Sequence, residues 1–223
     1  MKIFVYIASI LLGFTMSQLA FPLNIITVEQ EANKKILTSQ AQDVQFPLAQ
    51  EDLELVKAMK ERLLALEGVG LAAPQVNQAK RIIAIYIPEN AALLRKEVRP
   101  YPLHILFNPH YEPINEHEKI ADFEACYSVS SKAGKVPRYK QIKLTYFDES
   151  GAQHQTIEEG FYARVLQHEI DHLNGTLIID RLTADCVQGT LAEMMELRRS
   201  ELSEEQKKLF DELMQKKALK KDS

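Results

Sequence analysis

Apolar residues recur at helical spacing in three places along the chain. Between Glu51 and Leu66, Leu53, Val56, Leu63 and Leu64 lie among Glu, Lys and Arg, which predicts an amphipathic helix stopped by Gly68. From Gly160 to Leu173 no helix breaker follows the glycine, and Asn174-Gly175 form a stop signal. On that helix Leu166, Ile170 and Leu173 share an apolar face. His168 and His172 lie four residues apart on another face, in a stripe continued by Phe161 and Val165. Leu191 to Lys221, rich in Glu, Lys, Leu and Met, reads as one or two further amphipathic helices.

Strand signals fall between these helices. Arg81 to Pro88 is apolar and β-branched, and His104 to Pro109 suggests a second short strand. Ile142, Leu144 and Tyr146 alternate with Lys143, Thr145 and Phe147, Asp148 to Gly151 turn the chain, and Gln153 to Glu159 return. That is a hairpin leading directly into the histidine helix. Residues 24–49 read as extended and loop-rich, Ala91 to Pro102 as a charged connection and Tyr111 to Asp122 as a polar loop.

Composition narrows the classes. The chain has 223 residues and a formal charge of −4, which suits one globular domain with appendages and gives no case for a nucleic-acid surface. Lys2 precedes an apolar run from Ile3 to Met16, and no charge follows until Glu29. This resembles a secretory signal, so 1–20 is expected to be a signal-like or anchor segment with membrane contact through 3–16. Translation from Met16 would instead give a cytoplasmic protein. The composition shift after Asp180-Arg181 divides the remainder into a domain at 24–182 and a helical tail at 183–223.

Two histidines one turn apart, with Glu169 beside the first, can hold a metal and work on its water; ordinary helix histidines are the bland alternative. Gly68 to Ala73 fits a dinucleotide fingerprint by letter. A helix precedes it and Pro74 follows, where a strand and then a helix are required, so it is read as a glycine-rich turn close to a ligand, with the Gln75 amide beside it. His104, His110, His117 and His154 have no partner of metal-site type. Cys126 on its own reads as a small buried apolar residue.

Taken together, Gly68 to Gln75, Glu124 to Ser128 and His168 to His172 resemble the three ordered motifs of the peptide deformylases. The likeness extends through Val136-Pro137-Arg138, Ala163-Arg164-Val165 and Leu173 to Arg181. It implies that Cys126, His168 and His172 ligate one divalent metal, Fe(II) first, with zinc, nickel or cobalt accepted. It implies Glu169 as general base and acid, and Gln75 with the backbone N–H of Tyr127 as oxyanion donors. The reaction implied is hydrolysis of the formyl group from the N-terminal formylmethionine of a peptide or new protein. Val69, Gly70, Leu71, Glu124, Ala125, Phe161 and Val165 would bind substrate, with His168 among the pocket walls. The partner is a formylated peptide or nascent chain, with a ribosome contact through the C-terminal helix if cytoplasmic.

This chain departs from the family pattern at Ala125, where glycine is usual, at Tyr127, where leucine is common, and at Ser130-Ser131, where a proline-containing turn is typical. Glu124 is expected to pair with Arg138 behind the site. An oxidising compartment would open the alternative of a Cys126–Cys186 disulfide, against which the intact ligand set argues. Two other functions stand beside the first: a metal amidase or peptidase on another N-acyl substrate, and a non-catalytic binding module keeping the fold. The expected architecture is α+β, with antiparallel strands around a central metal-binding helix plus a C-terminal helix.

Overall fold

Two antiparallel sheets are arranged about the helix Gly160–Leu173 in the computed structural model, which describes residues 23–93, 95 and 98–221. In chain order the elements are α1 (Glu31–Leu37), α2 (Gln50–Ala65), β1 (Gly70–Ala72), a 3-10 turn at Ala73–Val76, β2 (Ile82–Ile87), a second 3-10 turn at Glu89–Leu93 and β3 (Tyr101–Pro113). Then come β4 (Lys119–Cys126), β5 (Val129–Tyr139), β6 (Gln141–Phe147), β7 (Gln153–Glu159), α3 (Gly160–Leu173), α4 (Ile178–Arg181), β8 (Gln188–Gly189), α5 (Leu191–Ser200) and α6 (Glu204–Lys221). One sheet has the order β1-β2-β3-β6-β7 and the other β4-β5-β8. This is the expected α+β class.

The faces of α3 explain its central place. Leu166, Ile170 and Leu173 are at most 1% exposed and pack with Ile83, Ile85, Leu106, Ile142 and Leu144 of the larger sheet. The polar residues turn to the smaller sheet. The Gln167 amide accepts from Tyr139 N–H at 2.9 Å and donates to Tyr139 C=O at 2.9 Å, and Arg164 donates to Val136 C=O at 2.8 Å. A helix buried on both sides can carry such groups only when each finds a partner. Gly160 has φ +64°, a left-handed conformation that turns β7 straight into α3 with no loop.

On the far face of the larger sheet, Leu55, Val56, Met59 and Leu63 of α2 pack with Leu71, Ile82, Ala84 and Phe107. Leu53 and Leu64, expected in that stripe, are exposed, and Leu55 and Met59 complete it instead.

Three expectations about connections change. Residues 24–49 contain α1, whose seven residues bury only Leu37 and so show no apolar period. β3 begins at Tyr101 and runs to Pro113, and β4 starts at Lys119, so most of the stretch expected as a polar loop is strand. Its polarity comes from position, since β4 is an edge strand that leaves Ile120 53% exposed. Gln188–Gly189 pairs with β5, so the segment after 182 begins inside the smaller sheet. α5 then lays Met194 against Phe123 and Ala133, and Arg199 pairs with Asp211 at 2.7 Å to join α5 to α6. Cys126 and Cys186 are free thiols. The signal-like segment 1–20 and Met16 lie outside the described residues. No helix among the described residues is long and apolar enough to cross a membrane.

Candidate active site

The two edge strands β1 and β4 flank the C-terminal half of α3, and the expected site residues meet there. One donor atom each from Cys126, His168 and His172 lie within 4.8 Å of one another. The helix supplies both imidazoles from one face, their ring centroids 5.1 Å apart. Cys126 ends β4 and places Sγ 3.2 Å from His172 Nε2. Ser128 N–H points at the same sulfur at 3.4 Å and Gln75 Nε2 at 3.7 Å.

His168 is oriented from behind. Its Nδ1 lies 2.9 Å from Glu124 Oε2, which leaves Nε2 for the site. Glu124 is buried and held by Arg138 through two bonds, at 3.0 and 2.9 Å, and by Arg164 at 2.6 Å. The expected Glu124–Arg138 pair is therefore present. Burial opposes the carboxylate, but Arg138 and His168 hold it well below the usual carboxylate range. Arg138 also pairs with Asp171, which Arg181 holds at 2.6 and 3.0 Å. Burial works against the charge on His168, while the Cys126 sulfur and Glu124 raise its pKa and make the ring a stronger donor. His172 goes the other way, kept neutral by burial and by the neighbouring His168.

Glu169 is 4% exposed, and burial pushes its carboxyl up to about 7. Its Oε2 has no hydrogen-bond partner among the described residues, and neither has His172 Nδ1. The carboxylate lies against Gly70, where a Cβ would fall 2.3 Å from Oε1. Gln75, in the 3-10 turn, accepts from Ala72 N–H at 2.8 Å through Oε1, so its NH2 group faces Cys126 and Ser128. One thiolate, two imidazoles and a buried unpaired carboxylate fit a divalent cation with a water to activate.

The expected substrate residues divide. Val69 and Phe161 are half-buried and Val165 is buried, all in the cluster around α3. Ala125 is exposed at a slip in the β4–β5 ladder between Glu124 and Cys126. Leu71 is fully buried in the α2 cluster and presents no side chain to the cleft. Tyr127 extends its ring away from β4 to the carbonyl of Leu66. Sequence reading gave no role to Arg164 or Asp171, though both fall in the matched motifs, nor to Arg95, whose guanidinium lies 4.5 Å over the Phe161 ring. Charged residues inside an otherwise buried helix were the available signal for the first two.

Comparison with known proteins agrees with the geometry. The polypeptide deformylase family model matches residues 23–187. Peptide deformylase 2 of Rickettsia conorii is 38% identical over 191 residues, covering 82% of this chain and 91% of that protein. Peptide deformylase of Streptococcus pyogenes is 34% identical over 196 residues, covering 78% and 94%. Among solved structures, the Met-Ala-Ser-bound class I type b peptide deformylase of Acinetobacter baumannii aligns with a TM-score of 0.63 at 30% identity, covering 73% of this chain and all of that one. Peptide deformylase of Thermotoga maritima gives 0.62 at 29% identity, covering 74% and 99%.

Proposed function

This chain belongs to the polypeptide deformylase family and hydrolyses the N-formyl group from peptide N-termini with a divalent metal, and on that premise we propose how its own residues carry the reaction. Cys126 Sγ and Nε2 of His168 and His172 would hold the ion. Fe(II) is our assignment, and zinc, nickel and cobalt suit the same mixed soft and imidazole donors. When bound, the ion supplies Lewis acidity, bringing the pKa of a water toward about 7.

Glu169 takes the proton of the attacking water and passes it to the leaving amine. A carboxyl near 7 can do both at neutral pH. Gln75 Nε2 is turned to the site by the Ala72 bond and donates to the formyl oxygen as charge develops there. The Tyr127 backbone N–H is the second donor. One such donor is typically worth about 3–4 kcal/mol in the transition state.

The peptide backbone pairs with the free edges of β1 and β4 at Gly70 and Ala125. Val69, Phe161, Val165 and His168 wall the methionine pocket, with Glu124 behind His168, and Leu71 holds β1 in register from the core side. If the enzyme is cytoplasmic, α6 is the element we assign to a ribosome contact. If residues 1–20 direct export or anchoring, residues 3–16 are the membrane contact.

The observation that carries this reading is the convergence of three metal donors beside a buried carboxylate with an unpaired oxygen. The test compares formyl-Met-Ala-Ser with acetyl-Met-Ala-Ser, using protein purified anaerobically with its metal counted. Turnover of the formyl peptide alone, with stoichiometric iron, is expected. Equal hydrolysis of the acetyl peptide would contradict the substrate assignment.

A further inference from the structure

Past Gly70 and Ala125 the two lips of the cleft are already taken. On β1, Val69 C=O accepts from Tyr86 N–H at 3.0 Å and so faces β2, which by strand alternation turns Gly70 outward. Ala72, the next outward residue, gives its N–H to Gln75. On β4, Phe123 faces the free edge, because its ladder partner Lys135 donates outward to Val187 C=O at 2.8 Å. Phe123 is occupied as well. Its N–H goes to Asp122 at 2.7 Å and its C=O accepts from Arg95 at 2.8 Å. A peptide whose formyl oxygen lies between Gln75 and the Tyr127 N–H, anchored at Gly70, therefore leaves along the β1 lip toward Gly68, with no free group left for it at Phe123 on β4.

The Tyr127 side chain lies across that exit. It starts on the β4 lip, directly after the ligand Cys126, and its hydroxyl donates to Leu66 C=O at 3.1 Å, at the end of α2 on the opposite lip. Its ring covers Gly68 so closely that a Cβ there would stand 3.1 Å from Tyr127 Cε2 and Oη. Tyr127 as a residue remains 40% exposed. An aliphatic side chain at this position could not make the bond to Leu66.

We propose that the Tyr127 side chain is a crossbar that limits how many residues beyond methionine the cleft holds in extended form. Gly70 to Gly68 is a step of two residues, about 7 Å when extended, which accommodates roughly two residues after the methionine. Residues further along meet the ring and leave the cleft unpaired. The side chain is thus a specificity-determining feature, separate from the backbone N–H assigned to the oxyanion. This inference rests on the deformylase reading.

The test is calorimetric binding of the product peptides Met-Ala, Met-Ala-Ser and Met-Ala-Ser-Ala-Ser to the metal-loaded protein, its Tyr127→Phe form and its Tyr127→Leu form. The wild type should gain affinity up to Met-Ala-Ser and no more than about twofold beyond it. Tyr127→Leu should bind the longest peptide about tenfold more tightly than Met-Ala-Ser, the worth of two further main-chain hydrogen bonds. Tyr127→Phe, which keeps the ring and loses the tether, should fall between. The same length profile in all three proteins would overturn the crossbar while leaving the deformylase reading intact. A wild type that binds none of the peptides would fail both.

Discussion

Gly70 and Glu169 are fitted to each other: a Cβ at Gly70 would stand 2.3 Å from Oε1 and 2.7 Å from Cδ of the glutamate. The contact fixes the carboxylate against β1, opposite the metal donors. Gly70→Ala must push Glu169 aside, and the expected result is a fall in kcat of about 10²-fold or more, the range for a lost general base. The three atoms nearest a Cβ at Gly70 all belong to Glu169 and none to a metal ligand, so metal content should hold. Steady-state kinetics beside metal analysis checks this, and an alanine variant with wild-type kcat would show that the fit is not required.

Arg138 neutralises two buried carboxylates, Glu124 and Asp171. Arg138→Ala leaves both uncompensated and should destabilise the fold by about 3–5 kcal/mol. It should also weaken metal binding by roughly 10–100-fold, because Glu124 orients His168. Urea unfolding and competition with a chelator measure the two effects. Unchanged metal affinity and activity would remove Arg138 from the account.

Glu29 accounts for the change at Ser130-Ser131. Its Oε1 accepts from both backbone N–H groups, at 2.8 and 2.9 Å, and a proline at either position would remove a donor. Slight burial works against the charge, but the backbone N–H of Glu29 itself, followed by the Ser131 and Ser130 groups, lowers the carboxyl from an ordinary 4.5 to about 2. A depressed folded pKa stabilises above the unfolded value and is lost as pH falls. The wild type should therefore melt above Glu29→Gln at pH values over 4.5. The gap should close as pH falls from 4.5 toward 2. Melting temperatures across that range test it, and a gap that does not change with pH would contradict it.

Leu166 is fully buried where α3 meets the larger sheet. Leu166→Ala should cost about 2–5 kcal/mol of stability, with kcat on folded protein little changed, since the residue faces away from the histidines. Denaturant midpoints and kinetics below the transition separate the two. A loss of kcat in fully folded protein would mean that the packing positions the ligands.

Much of this arrangement was legible before the structure. The ends of α3 were marked by Gly160 and Asn174-Gly175, and the β6–β7 hairpin by strict alternation around Asp148 to Gly151. α1 escaped because seven residues burying one leucine carry no period. The start of β4 escaped because an edge strand exposes residues such as Ile120. Within the site, His168, Glu169 and His172 announce themselves by spacing on one helix. Cys126 lies 42 residues before His168 and becomes a ligand candidate only through family likeness or three-dimensional proximity. The Arg138–Asp171–Arg181 chain has no local signature at all, because its charges meet only when α3 docks between the sheets.

The most direct test of the central claim is turnover of formyl-Met-Ala-Ser by the iron-loaded protein and by Glu169→Gln, with metal counted in both. Turnover by the wild type and a loss of about 10²–10⁴-fold in the variant, at equal metal content, is predicted. A variant within a few-fold of the wild type, or a metal-loaded wild type with no turnover, would contradict the mechanism.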